Sequence, residues 1–277
     1  MSVGVLAHLF GSVSYRELAG KVSGAGFTHI QLAMWKAIND VDFNKPGKLS
    51  PGLAMSIAEE LRKQGVTISV LGCYLHFFDR NPIQLRENIE RFKELIRYAP
   101  LLGAPMVAFE TGRHEDGVYT EEDWKVLKET VQELVEEAEK WGVIVGIEAA
   151  NDHLVGTAQD LSRLLKEIPS SQIGVVIDPG NLLKKDNFNR QDEVIEEAFR
   201  LLGDRIVAAH AKDRKLNENG ELVTVPAGFG EMNYSLYMKL LNQYKPGVHI
   251  IMEEAREHQM AQSKSYIEGI RAEFGGI

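Results

Sequence analysis

Four β-rich runs in the second half of the chain each finish on a side chain that can carry charge or bind a cation. Gly142-Val143-Ile144-Val145-Gly146-Ile147 leads to Glu148, Gly174-Val175-Val176-Ile177 to Asp178, Ile206-Val207-Ala208-Ala209 to His210, and Ile250-Ile251-Met252 to Glu253. A carboxylate after so apolar a run is costly unless it is paired or bound to a metal. Taken alone, Glu148 reads as a glutamate emerging into solvent at a strand end, so the case rests on recurrence over four consecutive strands. Adjacent strands lie about 4.8 Å apart, and four neighbouring ends of this kind converge on one spot. Three carboxylates there repel one another unless a cation neutralises them. Oxygen donors with one imidazole suit one divalent ion, Mn²⁺ first, with Mg²⁺, Co²⁺ or Zn²⁺ also compatible.

The elements that must place these groups follow from the alternation of short β-rich runs with stretches of helical period. Strands are predicted at 3–9, 27–33, 66–74, 104–110, 143–149, 173–178, 205–211 and 247–253, and helices at 14–24, 51–64, 82–102, 120–141, 157–168, 189–202, 233–243 and 258–272. Eight such pairs fill the chain, whose 277 residues are close to the roughly 250 of a typical (β/α)8 TIM barrel. The expectation is therefore one barrel domain over 1–277, with parallel strands and the active site at their C-terminal ends. A doubly wound sheet commonly needs only five or six strands, so it accounts for less of the chain. Gly26, Gly65, Gly103, Gly142, Gly203 and Gly247 fall between helix and strand and are expected as left-handed C-caps. Thr120 with Asp123 has the spacing of a capping box. His29 and His249 begin their strands and are read as structural. The long segments 34–50 and 212–232 are expected as loops that build a substrate lid.

Composition narrows the classes. Apolar residues make up 44% and charged residues 26% of the chain, the balance of a globular protein. A net charge of −9 argues against a nucleic-acid partner. The start of the chain lacks a basic n-region, no run approaches the ~18 apolar residues of a membrane span, and the lone Cys73 fits a reducing compartment. A cytoplasmic protein without a membrane partner is expected. Neither a G-x-G-x-x-G run nor a Walker lysine motif is present, so no nucleotide cofactor is indicated.

With its Ile147-Glu148 strand end, Asp178-Pro179-Gly180-Asn181, His210-Ala211-Lys212-Asp213, Gly228-Phe229-Gly230-Glu231 and Met252-Glu253 in this order, the whole chain resembles the xylose-isomerase-like barrel superfamily. The likeness is to its sugar (phosphate) isomerase and epimerase branch. It implies that Glu148, Asp178, His210 and Glu253 bind one divalent metal. Glu254 follows Glu253, and period-2 alternation sends the two to opposite faces, so the choice between Glu253 and Glu254 as the strand-eight ligand stays open. Many epimerases of this kind carry a histidine three residues after the strand-six aspartate; here that residue is Asn181.

The implied activity is isomerisation or epimerisation of a ketose or related polyol ketone through a cis-enediolate. A metal bound to two neighbouring substrate oxygens acidifies the adjacent C–H, while Glu148 and Glu253 serve as acid/base partners on opposite faces of the carbon. Further candidates for substrate contact are His76, Glu110, Lys212 and Trp35. A surface-loop role for His76, a salt bridge for Glu110 and plain packing for Trp35 and Phe78 remain open, as does a core role for His8. Asp213 is expected to orient a neighbour. A small carbohydrate is the expected partner, and barrels of this superfamily are often homo-oligomers. The rivals are a dehydratase or lyase on the same site, an apurinic endonuclease, which needs three zinc ions and more histidines, and a non-catalytic sugar-binding barrel.

Overall fold

Val, Ile and Ala dominate the predicted strands, and in the structure, a computed structural model describing residues 3–275, those runs form the wall of a closed barrel. Its strands are β1 (Val3–Leu6), β2 (His29–Leu32), β3 (Thr67–Gly72), β4 (Met106–Glu110), β5 (Ile144–Glu148), β6 (Ile173–Ile177), β7 (Ile206–Leu216) and β9 (Ile250–Met252). Each pairs in parallel with the next, β7 pairs with β9, and β9 returns to β1. The predicted (β/α)8 TIM barrel is thus the observed one.

Helices lie between the strands: α1 (Tyr15–Gly24), α2 (Met34–Ala37), α3 (Pro51–Lys63), α4 (Pro82–Leu102), α5 (Glu121–Trp141), α6 (Ala158–Glu167), α7 (Pro179–Leu182), α8 (Gln191–Leu202), α9 (Tyr234–Tyr244) and α10 (Glu257–Glu273). Their ends follow local chemistry. Thr120 and Asp123 make the reciprocal capping box at the start of α5, and Gly103 and Gly142 end α4 and α5 in the left-handed conformation. A cap of the Thr120 kind contributes about 1 kcal/mol.

Alternation along the strands divides the core into two layers. Leu6, Val70, Met106, Ala108, Val176, Ala208 and Ile251 pack together as an inner cluster. The larger outer cluster lies between wall and helices; in it Phe109 of β4 meets Phe77 and Phe92 edge-on at ring-centroid distances of 4.6 and 5.3 Å. Each such ring contributes roughly 1.5–3 kcal/mol by burial. At the N-terminal end of the barrel the rings of His29 and His249 lie 4.5 Å apart, and His29 Nδ1 meets Ser69 Oγ at 3.0 Å. Both stand away from the strand C-terminal ends.

Several boundaries differ from expectation. Strand one stops at Leu6 and turns into a 3₁₀ helix over Ala7–Phe10, so His8 lies on that turn and not at a strand end. Strand three ends at Gly72, leaving His76 four residues beyond it. Segment 212–232 is not a bare loop. β7 runs on to Leu216 and β8 (Leu222–Pro226) returns antiparallel beside it, outside the barrel wall. Asn219-Gly220 at the tip, with Gly220 at φ +71°, is the hairpin signal that the loop reading passed over. Segment 34–50 contains α2 and is tied down by Glu94, which accepts from Gly47 N and Leu49 N. Gly203 and Gly247 have no positive φ. A Cβ on Gly203 would lie 2.3 Å from the Tyr244 ring, so close packing and not conformation requires glycine there.

Candidate metal centre

The inner row of each strand ends at the barrel mouth. Met106 and Ala108 lead to Glu110, Val176 to Asp178, Ala208 to His210 and Lys212, and Ile251 to Glu253, each by steps of two. Glu110 and Glu148 are Cα partners across β4 and β5. Asp178 stands one residue past β6 as the N-cap of α7, its Oδ1 accepting from Gly180 N at 2.8 Å. Glu253 follows β9, its N–H bonded to Ala211 O at 3.1 Å. The next residue, Glu254, has φ +62° and is exposed, so the turn sends consecutive glutamates apart and Glu253 alone joins the cluster.

One ligand atom from each of Glu148, Asp178, His210 and Glu253 lies within 4.8 Å of the others, and all four residues are buried. His210 Nδ1 is the hub: Glu253 Oε1 is 2.8 Å from it and Glu148 Oε2 3.1 Å. The donor set is three carboxylates and one imidazole. Asp178 Oδ2 is buried with the Lys212 ammonium 2.9 Å away, and a carboxylate oxygen so paired keeps a second lone pair for a cation. The residues fit a divalent ion of the hard or borderline kind.

Neighbouring groups fix these side chains. Lys212 Nζ also donates to Glu253 Oε2 at 2.8 Å. Asn181 Nδ2 donates to Glu148 Oε1 at 2.6 Å and Glu110 Oε1 at 3.2 Å. On the other side Gln31 Oε1 meets His210 Nε2 at 2.8 Å, and Gln31 Nε2 donates to the Tyr74 hydroxyl. Asp213 faces away from the cluster. Its carboxylate accepts from the N–H groups of Arg214, Gly228, Gly230 and Met232 at 2.8–3.1 Å, pinning the base of the hairpin. It therefore orients backbone, and a Cβ on Gly230 would lie 2.4 Å from its Oδ1.

The electrostatics are asymmetric. Burial pushes the Glu148 carboxyl up to about 7, with His210 opposing. For Glu253 burial acts the same way, but Lys212 and His210 outweigh it and hold the carboxyl well below the usual range. Burial opposes charge on His210 and Lys212, yet the surrounding carboxylates raise both well above their ordinary values. Glu110 is raised, chiefly by burial.

Of the residues expected to contact substrate, Lys212 lies inside the cluster and Glu110 joins it through Asn181. His76 is exposed on the loop after β3, its ring and backbone against Gly112. Trp35 sits on α2, its ring 6.4 Å from Tyr74 and 5.4 Å from the Arg91 guanidinium, which are packing contacts. Phe78 packs edge-on against His114 at 4.7 Å. Between the loops after β4, β5 and β6 opens a cleft of about 760 Å³ lined by Arg113, Tyr119, Asn151, His153 and Lys184. Sequence reasoning passed over Gln31 and Tyr74. A polar Gln31 flanked by Ile30 and Leu32 in a strand was the available signal; Tyr74 carried none.

A family model described as a xylose isomerase-like TIM barrel matches residues 20–272. The probable L-ribulose-5-phosphate 3-epimerase UlaE of Mycoplasma pneumoniae is 25% identical over 187 residues, which span 66% of this chain and 57% of that protein's length. Among solved structures, a D-tagatose 3-epimerase-like protein superposes with a TM-score of 0.79 at 20% identity, covering 99% of this chain and 98% of that one. The IOLI protein with a bound zinc atom superposes with a TM-score of 0.76 at 17% identity, covering 99% of each chain. At these identities the superpositions speak for the fold. Among the described residues no helix is long and apolar enough to cross a membrane.

Proposed function

The chain belongs to the xylose isomerase-like TIM-barrel family, and from that premise we propose that it is a divalent-metal-dependent sugar isomerase or epimerase. Its substrate is a ketose or related polyol ketone, converted through a cis-enediolate. The observation that carries this reading is the approach of Glu148 and Glu253 to one imidazole nitrogen, 3.1 and 2.8 Å from His210 Nδ1. They come from β5 and from the end of β9, which are not neighbours in the barrel. Two carboxylates arriving from different sides of the mouth can flank a single carbon, and epimerisation needs that pair.

Glu148, Asp178, His210 and Glu253 would hold the ion, with Mn²⁺ the expected occupant. When bound, such an ion supplies positive charge that stabilises adjacent substrate oxygens as the carbon loses its proton. The chain's own groups do the rest. One of Glu148 and Glu253 takes the proton and the other returns one on the opposite face. Lys212 supplies cationic charge beside Glu253 and Asp178, and burial of all four groups keeps bulk water from the exchanging proton. Glu110 and Lys212 at the cluster, His76 on the loop after β3 and Trp35 on α2 are the proposed contacts to substrate. The names of the similar proteins, 3-epimerases of ketoses and ketose phosphates, support this substrate class.

The test is incubation of the Mn²⁺-loaded protein in deuterium oxide with a panel of ketoses and their 5-phosphates. Deuterium at the carbon next to the carbonyl, in substrate and epimer alike, is the expected result. Loss of water from the sugar would replace this reading with a dehydratase. Absence of exchange with every member of the panel would remove it.

A further inference from the structure

Gln31 is wholly inaccessible to solvent on β2, an uncharged amide facing the same interior as the carboxylate cluster. An amide at that depth is costly unless both ends are bonded. Both are: Oε1 meets His210 Nε2 at 2.8 Å, and Nε2 meets the Tyr74 hydroxyl. Gly72 makes the room for this pair, because a Cβ there would lie 2.9 Å from the Tyr74 ring and 3.5 Å from Gln31 Nε2.

We propose that Gln31 is a positioning residue that keeps a hydrogen on His210 Nε2, so that Nδ1, toward Glu148 and Glu253, is the nitrogen left for the divalent ion, and that it thereby sets the affinity for that ion. The inference rests on the metal-dependent reading above. A carboxamide oxygen only accepts, so the nitrogen facing it must carry the hydrogen. A neutral imidazole has one N–H; with that hydrogen on Nε2, Nδ1 presents a lone pair to the cluster, as a ligand must. If the amide turned over, its NH₂ would donate to Nε2, the hydrogen would move to Nδ1, and the ring would donate to the two carboxylates instead of binding an ion. The Tyr74 hydroxyl tolerates both arrangements, since it can accept from the amide nitrogen or donate to the amide oxygen.

The experiment compares wild type with Gln31→Leu, Gln31→Glu and Tyr74→Phe by calorimetric titration with Mn²⁺. In parallel, long-range ¹H–¹⁵N correlation of the His210 ring is recorded with Mg²⁺ or Zn²⁺, which are diamagnetic. Gln31→Leu is expected to weaken the ion about 10- to 100-fold. Gln31→Glu, which also only accepts, is expected to bind within about threefold of wild type. Tyr74→Phe should fall between them. The wild-type ring should carry its hydrogen on Nε2 when loaded. Undiminished affinity in Gln31→Leu overturns the inference, as does a loaded ring protonated on Nδ1. If Gln31→Leu does not fold, the Gln31→Glu titration decides alone: a loss of tenfold or more defeats the acceptor argument. Failure of the wild type to bind any divalent ion defeats the metal-dependent reading itself, and it would show without any substitution.

Discussion

The ammonium of Lys212 stands 2.8 Å from Glu253 Oε2, with both groups buried at the mouth of the barrel. It neutralises part of a cluster that otherwise holds three carboxylates beside one imidazole. Removing one member of a buried ion pair costs about 3–5 kcal/mol, because the remaining charge is stranded. Lys212→Met is therefore expected to lower the melting temperature by about 10 °C in EDTA. Added Mn²⁺ should recover most of that loss by supplying the missing positive charge. An equal loss with and without the ion would mean that Lys212 supports packing and not charge.

Glu148→Gln and Glu253→Gln each delete one of the two groups proposed to move the proton. Each is expected to slow solvent deuterium exchange by about 10²–10⁴-fold. The comparison to make is exchange on one face of the carbon against exchange on both. Retention of epimer formation in either variant would show that a different residue serves that face.

Asn181 joins Glu148 to Glu110 by two hydrogen bonds from one amide. Asn181→Leu removes both bonds and leaves the buried Glu148 carboxyl beside the half-buried one of Glu110. A hydrogen bond to a charged group contributes about 1.5–3 kcal/mol. The exchange rate is expected to fall at least tenfold while the fold, followed by far-UV circular dichroism, persists. Asn181→His, which keeps a ring N–H donor at this position, should keep more activity than Asn181→Leu.

The hairpin stands on the four backbone N–H groups gathered by Asp213. Gly230→Ala would bring a methyl within 2.4 Å of that carboxylate. A loss of about 2 kcal/mol is expected, read as a lower melting temperature and as faster proteolysis between Lys212 and Met232. Resistance equal to wild type would show that the Asp213 cradle is not what holds the arm.

Acid should destabilise the protein through His153. Burial, then Arg113 and His76, pull this imidazole from 6.5 down to about 4. The folded state binds the proton less readily than the unfolded chain, so stability is complete above pH 6.5 and declines as pH falls toward 4. The contribution is about 2–3 kcal/mol, given that the side chain is 17% exposed. His153→Gln should flatten the denaturation midpoint across that window, and an unchanged slope would reassign the acid sensitivity elsewhere.

The barrel and its four converging strand ends were legible because both rest on periodicity. Eight alternations set the architecture, whereas the two-residue step said only that Glu253 and Glu254 face opposite ways, and it took the turn at Glu254 to show that Glu253 is the one in the cluster. What escaped was non-local. Nothing in the spacing tells that Gln31 lies across the barrel from its strand-seven partner His210, since 179 residues separate them. The arm was misread because Lys212 to Leu216 is too polar to look like a strand, and beyond Asp213, outside the wall, it is no longer buried. Two of the glycines were assigned to helix ends on position alone, whereas Gly203 answers to a ring from another helix.

β7 is continuous from Ile206 to Leu216. The strand that carries His210 in the barrel wall is therefore the strand that leaves the barrel as the arm, with the Asp213 cradle as the clamp between them. Changes at the tip, around Asn219-Gly220, are expected to stop at that clamp and leave the cluster's geometry as it was. The outer arm and the cluster are thus expected to tolerate substitution independently, although one strand carries both.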